Sequence, residues 1–98
     1  MNIEVLFQAK QELIEAVEYY ELQQEGLGLR FWEEVDRHID WIARYPETPP
    51  PGPGGYRRVN LRVFPYFIPY IVFDRVWILA IAHGHAQPNY FINRFSLR

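Results

Sequence analysis

"PETPPPGPGG", residues 46–55, packs five prolines and three glycines into ten positions. Proline lacks a backbone donor and fixes φ, and glycine weakens any regular element, so neither helix nor strand persists here. The stretch reads as a stiff connector between two halves with different hydrophobic periods. A proline-rich recognition motif is the alternative reading of the same composition.

On its N-terminal side the period is helical. Phe31, Trp32, Val35, Ile39 and Ile42 recur on one helix face, and Tyr45 before Pro46 ends the run. Ahead of that helix, "EGLGLRF" (25–31) breaks the pattern, with Gly26 as a helix cap and Gly28 as a turn into the next helix. An earlier stripe of Ala9, Leu13, Ala16, Val17 and Tyr20 predicts a first helix, with Glu12, Glu15, Glu18 and Glu21 on its polar side. "NIEVLFQ" (2–8) alternates Ile3, Val5 and Phe7 with other residues and predicts a short strand.

On the C-terminal side the period is two. "YRRVNLRVF" (56–64) alternates Val59, Leu61 and Val63 with Arg58, Asn60 and Arg62. "YFIPYIVF" (66–73) is apolar on both faces, as a covered strand would be. Pro69 within it implies a bulge or an edge. "VWILAIAH" (76–83) predicts a central third strand, and "GHAQPNYFINRF" (84–95) loses the period. The expected fold is α+β in one domain, 1–98: an N-terminal strand, a helical hairpin, then an antiparallel sheet of three further strands, packed as a two-layer sandwich.

Composition narrows the function. No cysteine is present, which excludes disulfides and thiolate zinc sites. No run approaches the ~20 apolar residues of a membrane span, and the first 25 residues carry six glutamates, so the expectation is a soluble cytoplasmic protein. Residues 1–47 hold 11 acids and 4 bases, whereas residues 48–98 hold one acid, Asp74, and six arginines. Such a split separates a solvating face from a binding face, or only keeps acidic helices soluble.

Few catalytic chemistries remain. Ser96 and Thr48 are the lone hydroxyl nucleophiles of their kinds, and no triad assembles around either. His83, His85 and His38, with Asp74 and Glu47, lack metal-site spacing, so neither a metal nor a cofactor is expected. RNA cleavage is the surviving route, because the 2′-hydroxyl is supplied by the substrate. His83 or His85 would then be acid or base, and Arg57, Arg58 and Arg62 would hold the phosphate. Tyr66, Tyr70 or Tyr90 would stack on bases. The plainer alternative makes His83 a hydrogen-bonded strand end and the tyrosines core. Arg58, Asn60 and Arg62 on one strand face, with aromatics nearby, describe a surface for a macromolecular partner or a merely solvated face.

Several pieces, in order, resemble the RelE/ParE toxin superfamily of type II toxin–antitoxin modules, whose members are often described as plasmid stabilisation proteins. They are "EAVEYYE" (15–21), "GLGLRFWEEV" (26–35), Ile39, Ile42, Pro46, Arg57-Arg58, "FPY" (64–66), Tyr70, "AIAH" (80–83) and "PNYFINR" (88–94). The joint pattern is more similar to the ParE-like branch. The resemblance implies a cognate antitoxin as partner and DNA gyrase as protein target, with Arg57, Arg58, Arg62, Tyr66, Tyr90 and Arg94 as partner-binding residues. Its RelE-like alternative implies a ribosome-dependent mRNA endoribonuclease using His83, Arg58 and Arg62. The chain departs from relatives after His83, where Gly84, His85, Ala86 and Gln87 replace basic residues. A decayed toxin that binds only its antitoxin is the third reading.

Overall fold

The elements follow one another as strand, two helices and then strands, in a computed structural model that describes residues 1–95. Ser96 lies outside the described residues. Strand β1 is Ile3–Val5, helix α1 Phe7–Gln23 and helix α2 Leu27–Arg44. After the connector come β2 (Arg57–Asn60), β3 (Tyr66–Val72), β4 (Val76–Ile78) and β5 (Ala82–His83), then a 3₁₀ turn at Ile92–Arg94.

Gly26 sits at the joint of the hairpin with φ 87°, a left-handed conformation that side chains rarely adopt. Gly28 is not a turn residue. It lies inside α2, buried, where an added Cβ would fall 2.6 Å from the Val17 carbonyl oxygen. Its bare backbone is what lets α1 and α2 touch at that end.

The sheet order is β1-β4-β3-β2, with β5 also on β3. β3 pairs antiparallel with β2, β4 and β5, whereas β1 joins β4 in parallel. The sheet is therefore mixed, within the expected α+β class. Ile68, Tyr70, Val76 and Ile78 meet Ala9, Ala16, Phe31, Val35 and Ile42 in the main core. Fully burying Phe31 contributes roughly 1.5–3 kcal/mol. Phe31, Tyr20, Phe64 and Tyr66 form an edge-on and stacked aromatic cluster with centroids 4.8–6.1 Å apart. Trp32, expected on the buried stripe, stays 47% exposed at its shoulder.

Pro69 is not at a sheet edge, but the expected bulge is present opposite it. The pairing of β3 slips by one residue between Tyr70↔Ile78 and Phe67↔Ala82, so Leu79, Ala80 and Ile81 face only Ile68 and Pro69. Pro69 stands in β3, a central strand, opposite Arg58. Its carbonyl accepts the Leu79 N–H at 2.9 Å, so its donor-less nitrogen faces the same side. There the expected third strand splits into β4 and β5, with Leu79–Ile81 between them. Two side chains serve the gap: Glu12 Oε1 accepts the Ile81 N–H at 3.1 Å, and Arg94 Nη1 donates to the Leu79 carbonyl at 3.1 Å. Glu12 is thus half-buried in a network and does not lie on a solvated helix face.

The second sheet face is partly roofed by the C-terminal segment. Leu79, Ala80, Ala82 and Phe91 form a smaller core against Tyr56, Phe67, Ile71, Tyr90 and Phe95.

Candidate partner-binding site

Cross-strand pairs share a face, so the register sorts the arginines. Arg57 pairs with Tyr70 and Val59 with Ile68, on the helix side. Arg58 pairs with Pro69 and Asn60 with Phe67, on the opposite side. Arg58 is exposed there, its guanidinium 3.8 Å above the Phe67 ring and 2.9 Å from Asn60 Oδ1. A cation over an aromatic face holds this long side chain in one place at modest gain.

β2 stops at Asn60, so Arg62 is not on its face, and Val63 is 72% exposed instead of buried. Residues 61–64 turn the chain into β3. The turn is anchored by Glu34 of α2, only 4% exposed, whose Oε2 accepts the Arg62 N–H at 2.7 Å and the Val63 N–H at 3.0 Å. Two charge-assisted bonds satisfy the buried carboxylate and fix where Arg62 departs. The sequence carried a sign of this: Glu34 is three residues from Phe31 on the inward stripe.

Arg58 and Arg62 line one groove of about 480 Å³ with Arg37, His38, Trp41, Pro49 and Val59. It runs between α2 and the outer edge of β2. Arg57, by contrast, is half-buried and donates to the Glu47 carbonyl at 3.0 Å and to the Pro49 carbonyl, clamping the connector. Arg94 and Tyr90 belong to the network under the strand gap. Arg94 Nη2 lies 2.9 Å from Glu12 Oε2, and the Tyr90 hydroxyl donates to the same oxygen at 2.7 Å. Burial first, then the hydrogen bond to Glu12, pushes the Tyr90 hydroxyl well above the tyrosine range. The bond to Glu12 likewise raises Arg94.

Tyr66 packs its ring against Phe31 and 5.0 Å from that of His83. Burial, then Tyr20 and Tyr19 nearby, raises its hydroxyl pKa. His83 pairs with Tyr66 and so lies on the helix side. Its Nδ1 accepts the His85 backbone N–H at 3.0 Å, leaving Nε2 for any other contact. The cleft beside it, about 320 Å³, is lined by Glu12, Glu15, Tyr19, Tyr66 and Tyr90. The base and cations expected of a ribonuclease are therefore not assembled: His83 sits with carboxylates, and Arg58 and Arg62 line a different groove. Among the described residues no three His, Cys, Asp or Glu converge as a metal site.

A third groove, about 380 Å³, opens where the helices diverge from the Gly28 contact. Val5, Leu13, Ile14, Trp32, Val35, Ile39 and Ile81 line it, with Lys10 and Asp36 at its border. Ile14 is 49% exposed. A groove for an amphipathic helix at the hairpin is expected from the sequence, although Leu13, Trp32, Val35 and Ile39 of its lining belong to the stripes read there as buried.

No family model and no curated protein matches the chain. A solved chain of the chromosomal ParDE TA system from P. aeruginosa superposes with a TM-score of 0.73 at 18% identity, covering 85% of this chain and 95% of that one. The chain has a ParE-like fold. The ParE-like pattern of one strand, a helical hairpin and a following sheet thus accounts for most of its length. No described helix is long and apolar enough to cross a membrane.

Proposed function

We propose that this protein is the toxin of a type II toxin–antitoxin module, ParE-like, acting in the cytoplasm by occupying a protein target, DNA gyrase, and neutralised by a cognate antitoxin. The ParE-like fold supports the module, and the observation that carries the mode of action is the separation of His83 from Arg58 and Arg62. A phosphodiester cut at neutral pH needs a base and a cation at one phosphate. Binding needs only exposed anchors on a rigid frame, and Arg58 and Arg62 are such anchors. Arg57, Tyr66, Tyr90 and Arg94 act behind them, holding the connector, the aromatic cluster and the C-terminal segment in place. An amphipathic antitoxin helix fits the apolar groove between α1 and α2.

Purified protein is expected to block gyrase supercoiling while leaving ribosome-bound mRNA intact, and Arg62→Glu to relieve the block. Cleavage of mRNA in the ribosome, lost in His83→Ala, would replace this reading with the ribonuclease. Normal growth on expression without antitoxin would replace it with the decayed toxin.

A further inference from the structure

The connector between α2 and β2 is longer than a link needs to be, and it is fastened along its length. Connections in compact domains typically take about 4–6 residues, whereas this one occupies residues 45–56. The Tyr70 hydroxyl donates to the Pro46 carbonyl at 2.7 Å. Arg57 Nη1 donates to the Glu47 carbonyl at 3.0 Å and to the Pro49 carbonyl. Farther on, the Gly52 N–H bonds to the Tyr56 carbonyl at 2.9 Å. Gly54 packs so closely on Ile92 of the C-terminal turn that an added Cβ would collide with its Cδ1.

Between these anchors Pro50, Pro51 and Pro53 are exposed. Among the described residues no donor reaches their carbonyls. Their conformation follows from composition. Each proline holds φ at about −65°, and each residue ahead of a proline is driven out of helical angles into the extended range. Thr48, Pro49, Pro50 and Gly52 all precede prolines. The Gly55 N–H closes a turn on the Gly52 carbonyl at 3.0 Å, with Gly54 at φ 89°. That is the type II pattern, in which Pro53 keeps polyproline-like angles. Residues 48–53 thus form a ridge on which Pro50 and Pro53 are spaced by one polyproline turn.

We propose that residues 48–53 are a recognition element, a preformed polyproline ridge that docks in the aromatic-lined groove of a protein partner. Rings in such a groove pack on proline faces, while their N–H and O–H groups donate to the free carbonyls. A loose segment would lose conformational freedom on docking, and the anchors at Pro46, Glu47, Pro49 and Gly52 remove most of that loss beforehand. The ridge carries no charge, which speaks against a nucleic acid as its occupant.

The test titrates the isotope-labelled full-length protein with two purified polyproline-reading probes, an SH3 domain and a WW domain, and follows amide shifts by NMR. At least one probe is expected to move the Thr48, Gly52, Gly54 and Gly55 amides while leaving those around Ile14 in place. Pro50→Ala with Pro51→Ala is expected to weaken that probe roughly tenfold, with shifts outside 45–56 unchanged. A capped peptide of residues 46–55 has the same composition without the anchors, and is expected to bind the probe more weakly than the whole protein does. Equal affinity of peptide and protein would overturn the preformed ridge. No response to either probe, or shifts confined to other surfaces, would overturn the proposal. Gyrase inhibition is read separately, so either idea can fail alone.

Discussion

Helix α2 has two shoulders, and they are chemically opposite. Trp32, Val35 and Ile39 border an apolar groove shared with α1 and Val5. Arg37, His38 and Trp41 border a cationic groove shared with β2 and the proline-rich connector. One periodic stripe thus serves three purposes, because residues 31, 35 and 42 are buried while those flanking them emerge on either side. The apolar shoulder owes its shape to backbone contact at Gly28, and the cationic one to a buried acid, Glu34. A fold can set two different docking chemistries a helix width apart only if each is held by its own local device.

Removing those devices should separate the shoulders. Glu34→Ala leaves the Arg62 and Val63 amides without their acceptor, and is expected to cost ~2–3 kcal/mol, measured by urea denaturation. Amide exchange should quicken at residues 61–64 and not around Ile14. Gly28→Ala forces a Cβ against the Val17 carbonyl and is expected to cost ~1–3 kcal/mol, with changes confined to the hairpin and the apolar groove. If both substitutions disturb both grooves equally, the shoulders are not independent.

A smaller effect follows from tyrosines outside both grooves. Burial raises the Tyr20, Tyr66, Tyr70 and Tyr90 hydroxyls above their ordinary value of 10.0. A group whose folded pKa is raised contributes stability that is fully present below the unfolded pKa and is lost as pH rises toward the folded one. Melting temperature is therefore expected to hold to about pH 9 and fall above pH 10. Tyr90→Phe should blunt that fall; an unaltered alkaline limb would count against the Glu12–Tyr90 contact.

The sequence made the layers legible because periods of 3.6 and 2 survive in it, divided by the connector at 46–55. It also placed Arg58 on the face away from the helices. What escaped it was set by tertiary contacts. Parallel pairing of β1 with β4 leaves no local signal. The split of "VWILAIAH" arises opposite Pro69, on another strand. Glu12 looked like a solvated helix acid and gave no hint of Arg94, whereas Glu34, three residues from Phe31 on the inward stripe, carried a sign of the 62–63 turn. Arg57 and Arg94 resembled Arg58 in sequence, yet carbonyls and a carboxylate of the chain itself engage them.

The most direct test of two-shouldered docking is amide hydrogen exchange of the full chain, alone and bound to the antitoxin proposed as its partner. The account predicts slowed exchange at Arg58 and Asn60 together with the rim of the apolar groove around Ile14 and Trp32. Protection confined to the His83 cleft or to the C-terminal segment, with Arg58 and Asn60 exchanging as in the free protein, would contradict it.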